Sequence, residues 1–141
     1  MGFVKDMAKL LGEKTRMKRT ADQESQLDAR SKQILDAVRS KANEGDGYAM
    51  YTLGGYYIKA TYVGYDPRQA CYWWTEAANR GNVDAQYNLG LLYHGNVSAM
   101  YYDENLAGYW FNEAANNGDA EAENMLRQYK YGAIRRKWSK I

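Results

Sequence analysis

A chain of 141 residues with an apolar share of 45% can build one domain around a real core, which argues against a disordered segment. One Cys excludes an internal disulfide and a cysteine-built zinc site, and one His leaves any histidine chemistry to His94 alone. The net charge of +2 hides basic ends around an acidic body: residues 1–20 carry six Lys/Arg against two acids, residues 21–126 seven against fifteen, and residues 127–141 six against none.

Residues 1–20 predict a basic amphipathic helix. Phe3, Val4, Met7, Leu10 and Leu11 are apolar, but Lys5, Asp6 and Lys9 interrupt them, so residues 3–19 read neither as a secretory signal nor as a membrane span. Met1-Gly2 resembles a myristoylation start, yet Asp6 stands where Ser or Thr is required. This helix has two open roles, packing on the core or contacting a partner or membrane surface. The expected location is the cytoplasm. Residues 21–44 predict a capping helix, with Leu27, Ile34, Leu35, Val38 and Ala42 in one stripe and Thr20 and Gln23 spaced as a capping box.

From residue 45 the chain repeats itself. Gly45-Asp46-Gly47-Tyr48-Ala49-Met50-Tyr51-Thr52-Leu53-Gly54 matches Gly81-Asn82-Val83-Asp84-Ala85-Gln86-Tyr87-Asn88-Leu89-Gly90 at an offset of 36. Ala70-Cys71-Tyr72-Trp73-Trp74-Thr75-Glu76-Ala77-Ala78-Asn79 matches Ala107-Gly108-Tyr109-Trp110-Phe111-Asn112-Glu113-Ala114-Ala115-Asn116 at 37. The spacing predicts repeats over 45–80 and 81–117, each a pair of helices, and a partial third over 118–132. In the first helices Ala49, Leu53 and Tyr57, and then Ala85, Leu89 and Tyr93, share a face. Gly54 and Gly90 cost helix propensity, about 1 kcal/mol relative to Ala, which makes sense where another helix packs very close. Asp66 before Pro67, and Asp103, are expected to cap the second helices, and Gly81 and Gly118 to end them in left-handed conformation. A helix over 119–132 would close the array, and residues 133–141 read as a basic tail carrying Arg135, Arg136, Lys137 and Trp138.

This pattern resembles the Sel1-like repeat family, a relative of the tetratricopeptide repeats. The first copy supplies Ala49, Leu53, Gly54, Tyr57, Val63, Asp66, Ala70, Trp73, Ala77, Ala78 and Gly81. The second supplies Ala85, Leu89, Gly90, Tyr93, Asp103, Ala107, Trp110, Ala114, Ala115 and Gly118. Ala60 and Tyr62 depart from it, standing where the family has Gly. The resemblance implies an all-α fold, an α/α solenoid of helix pairs with an N-terminal helical cap, and an interaction scaffold.

Trp73, Trp74, Trp110 and Phe111 recur in register and are expected in the inter-helix core, together with Tyr51, Tyr57, Tyr87 and Tyr93. Tyr48, Tyr56, Tyr62, Tyr65, Tyr72, Tyr101, Tyr102, Tyr109, Tyr129 and Tyr131 are not demanded by the repeat and suit an interface, because Tyr offers rigid area and a hydroxyl. The expected partner-binding residues are Tyr48, Thr52, Tyr56, Tyr62, Tyr65, Asp84, Asn88, His94, Tyr101 and Tyr102. Glu76 and Glu113 recur on what should be a solvated face, one repeat apart, which argues against paired acid–base work. Cys71 aligns with Gly108 and reads as a small packing residue. No phosphate-binding loop or nucleophile motif is present, and nothing points to a cofactor, metal or small-molecule substrate.

These residues predict a non-enzymatic module for a protein or peptide partner, favouring a basic one because its walls are acidic. The resemblance extends this to a bacterial inhibitor or immunity protein against a toxin. Two alternatives stand beside it. One is an enzyme of the cell-wall or β-lactam-processing type credited to secreted, cysteine-rich relatives, whose cysteines this chain lacks. The other is a peripheral membrane or nucleic-acid factor using the basic ends, for which a C-terminal run of fewer than a dozen residues without a nucleic-acid-binding fold is weak support. The oligomeric state is not legible.

Overall fold

Aspartates start the helices. The computed structural model describes residues 27–97 and 99–129; the expected helix over 1–20, its membrane contact, Tyr131 and the tail 133–141 lie outside the described residues. Among the described residues stand six α-helices: α1 (Ala29–Asn43), α2 (Gly47–Lys59), α3 (Pro67–Asn79), α4 (Val83–Tyr93), α5 (Glu104–Asn116) and α6 (Ala120–Gln128). A 3-10 turn covers Ala99–Tyr101. Asp28, Asp46, Asp66, Asp103 and Asp119 cap α1, α2, α3, α5 and α6, each accepting from a backbone N–H of the first turn. The distances run from 2.8 Å at Ser31 to 3.2 Å at Gln69. Each such cap contributes about 1 kcal/mol. Gly81 and Gly118 take φ of +87° and +96° just past α3 and α5, as expected for helix ends.

The described residues fall into two compact units that divide between Asn82 and Val83. In the first, α2 packs along α3 and α1 packs on α2. The stripe of α1 is buried at Leu35 and Ala42 and half-buried at Ile34 and Val38, while Leu27, also half-buried, precedes the Asp28 cap and lies outside the helix. The core joins Met50, Tyr51, Leu53 and Ile58 from α2 to Ala70, Trp74, Ala77 and Ala78 from α3. Gly54 explains how close the pair runs. A Cβ built there would overlap the Trp74 indole. That indole is wholly buried and donates Nε1–H to the Tyr51 carbonyl at 3.1 Å.

The second unit repeats the arrangement. There α4 packs along α5, and α6 packs on α5. Gly90 faces Phe111 as Gly54 faces Trp74, again without room for a Cβ. The loops match too: the Asp66 N–H donates to the Tyr57 carbonyl at 3.1 Å, and the Asp103 N–H donates to the Tyr93 carbonyl at 2.8 Å. Val63 and Val97 pin these loops from the buried side. The final helix is shorter than the expected 119–132, ending at Gln128 with Tyr129 as its cap residue.

Three core expectations need correction. Trp73, Tyr57 and Tyr93 are half-buried. The fully buried aromatics of the second helices are the neighbouring Trp74 and Phe111, because these face the glycines.

Candidate functional site

Tyr48, Thr52 and Tyr56 recur every four residues and so share one face of α2. Tyr48 is 69% exposed, and Thr52 and Tyr56 are half-buried. Past α2 the chain turns through Ala60 and Tyr62, with φ of 55° and 66°. Left-handed backbone costs an L residue about 1–2 kcal/mol. These are the two positions where the repeat pattern has Gly, so the departure noted in the sequence is also where the backbone is strained. The turn swings the Tyr62 ring edge-on against Tyr56, with centroids 5.2 Å apart and planes at 86°. The Thr61 N–H closes the turn on the Tyr56 carbonyl at 2.9 Å.

Tyr48, Tyr56 and Tyr62 form one cluster. Burial pushes the Tyr56 phenol above its ordinary pKa, and the neighbouring Tyr62 and Tyr48 push it the same way. Tyr48 also leans on the buried Tyr51 ring, 5.9 Å away at 48°, which ties the exposed face to the core. Three phenols fixed this way offer apolar area and hydroxyl groups at little entropic cost to a docking chain.

A second group lies in the other unit, past the end of α4. The imidazole of His94 sits 4.4 Å from the Tyr129 ring and 6.3 Å from that of Phe111. Burial lowers its pKa. Gly95 has φ +90°, and a Cβ on it would stand 3.5 Å from the Tyr102 ring. Tyr102 is 58% and Met100 77% exposed. Tyr129 joins this group although the sequence singled it out only as a tyrosine in excess of the repeat. Its position beyond the third repeat start gave no hint of His94.

The other expected residues scatter. Tyr65 is half-buried in the loop before α3, and Tyr101 is half-buried in the 3-10 turn. Asp84 occupies the first turn of α4, where a carboxylate suits the positive end of the helix. Asn88 is a correction. It aligns with Thr52 and was expected on the binding face, but it is wholly buried. Every residue of α4 from Ala85 to Leu92 is buried, so this helix leaves no open face there. Both amide atoms of Asn88 lack a hydrogen-bond partner, as does Oδ1 of Asn112 on α5. No cluster of three potential metal ligands occurs among the described residues, and none of their helices is long and apolar enough to cross a membrane.

Glycine-spaced helix pairs in tandem, each opened by a loop returned to its own first helix, define an all-α, tetratricopeptide-like repeat protein. The family model described as Sel1 repeat matches residues 47–82 and 83–119, and the chain belongs to that family. Among solved structures it is similar to a Sel1 repeat protein from Oxalobacter formigenes, with TM-score 0.62 and 26% identity over 89% of this chain. The match spans 34% of that longer chain. Comparison with curated proteins gave no match. Sel1 repeats are protein–protein interaction modules, generally without catalytic activity.

Proposed function

We propose that this chain holds a protein or peptide partner on the tyrosine face of α2, through Tyr48, Thr52, Tyr56 and Tyr62. The observation that carries the reading is the Tyr56–Tyr62 contact, because it is reached through backbone that costs energy. Strained conformations persist where the surrounding structure over-determines them and gather at functional sites. The group of His94, Tyr102 and Tyr129 is a second contact region of the same kind. The partner is basic, because residues 21–126 carry eight more acids than Lys/Arg. The work is done in the cytoplasm and without catalysis. Its narrower form is inhibition of a toxin, as an immunity protein does, which suits a rigid face that blocks by covering.

The test is quantitative affinity capture from cells that naturally make the protein, comparing wild type with Tyr56→Ala. A partner enriched by wild type and lost from the variant supports the reading. Equal enrichment by both removes the α2 face from it.

A further inference from the structure

The second helices carry a motif that the docking face does not use. On α3 the rings of Tyr72 and Trp73 meet edge-on, 4.9 Å apart at 79°. On α5 Tyr109 and Trp110 meet with the same separation and the same angle. Trp110 is 8% exposed, so it serves as a fixed wall from which the half-buried Tyr109 projects. Four residues on from each tyrosine comes a glutamate, Glu76 and Glu113. That spacing places acid and ring on one stripe of the helix. The Glu113 carboxylate is close enough to Tyr109 to add to the upward push that burial gives its phenol.

The two copies differ in one respect. In the first, Arg80 pairs with the glutamate, its guanidinium 3.3 Å from Glu76 Oε2 and donating to the Glu76 carbonyl at 3.0 Å. In the second, the aligned residue is Asn117. Its amide donates to the Glu113 carbonyl at 3.0 Å and to Gln86 Oε1 at 3.1 Å, and it brings no charge. The Glu113 carboxylate therefore has no ion pair among the described residues. The first copy thus pairs its carboxylate with a guanidinium four residues on, and the second copy leaves its own carboxylate without one.

We propose that Tyr109, Trp110 and Glu113 form a recognition site for an arginine side chain of a basic partner. The guanidinium lies over the Tyr109 ring and pairs with the Glu113 carboxylate, as that of Arg80 pairs with Glu76. Arginine fits better than lysine, because its planar fork can stack on a ring and reach both carboxylate oxygens. An exposed cation–π contact and an exposed ion pair are each modest. Together they give about a fivefold effect on affinity. The site lies wholly on α5 and does not depend on the tyrosine face of α2.

Fluorescence anisotropy of a labelled hexa-arginine peptide at low salt tests this, with the full chain and four variants. Glu113→Gln removes the acid. Asn117→Arg keeps the acid and installs the guanidinium of the first copy. Asn124→Arg adds the same charge on the exposed side of α6. Arg80→Asn frees the first copy. Binding should weaken about fivefold in Glu113→Gln and in Asn117→Arg, hold within twofold in Asn124→Arg, and strengthen in Arg80→Asn. Absence of binding by wild type overturns the proposal. So does an Asn124→Arg loss as large as that of Asn117→Arg, which would make the effect one of net charge. Unchanged binding in Glu113→Gln overturns it as well. The tyrosine face is judged separately, because Tyr56→Ala should leave hexa-arginine binding intact.

Discussion

The bare Cα of Gly54 lies against the buried indole of Trp74, leaving no space for a methyl group. The second repeat keeps the same relationship between Gly90 and Phe111. A side chain there must push rings that are already fully enclosed. Gly54→Ala and Gly90→Ala should each lower stability by about 1–3 kcal/mol, despite the better helix propensity of Ala. Urea denaturation reads this as a fall in midpoint. A rise in midpoint would show that the rings can move aside.

The buried amide of Asn88 yields a different expectation. An unsatisfied polar group costs about 1–3 kcal/mol when buried. Replacing Asn88 with Leu, an apolar side chain of the same branching, should raise stability by about 1 kcal/mol. The urea midpoint of Asn88→Leu checks this, and a clear fall would mean that the amide is bonded in solution.

His94 is the single histidine, so it isolates one titration. Burial holds its pKa below the ordinary histidine value. The unfolded chain therefore takes up the proton first as the pH falls. The folded state keeps its full stability above about pH 6.5 and loses some between there and the depressed pKa. Thermal melts at pH 7.5 and 5.5 should show a smaller acid loss in His94→Gln than in wild type. An equal loss would remove His94 from the acid response.

Most of the fold was legible because its signals are local and repeated. Asp66 and Asp103 mark helix starts, Gly81 and Gly118 mark ends, and Gly54 and Gly90 mark close packing in the sequence itself. The site was half legible. Four-residue spacing put Tyr48, Thr52 and Tyr56 on one face, but it could not show that left-handed backbone would swing Tyr62 onto Tyr56. Asn88 misled because alignment transfers position and not exposure: its helix is buried throughout from Ala85 to Leu92, whereas α2 is open at Thr52 and Tyr56. Trp73 was expected in the core beside Trp74 and is only half-buried for a similar reason, since helical period alone does not say which of two adjacent aromatics points inward.

The left-handed Tyr62 allows the face to be altered without breaking the fold. Asn tolerates that backbone better than most residues, whereas a β-branched residue does not. Tyr62→Asn should stay within about 1 kcal/mol of wild type, because relief of strain offsets the lost ring contact. Tyr62→Val should lose more than Tyr62→Asn. Thermal melting of the two variants decides it, and equal stability would mean that the turn is not strained.

Site-specific photocrosslinking in the native cells tests the central claim most directly. A benzophenone amino acid is placed at Tyr48, and separately at the exposed Arg68 at the start of α3. The account expects one discrete crosslinked protein from position 48, competed away by excess unlabelled wild type but not by Tyr56→Ala, and none from position 68. The same adduct from both positions, or none from position 48, would contradict it.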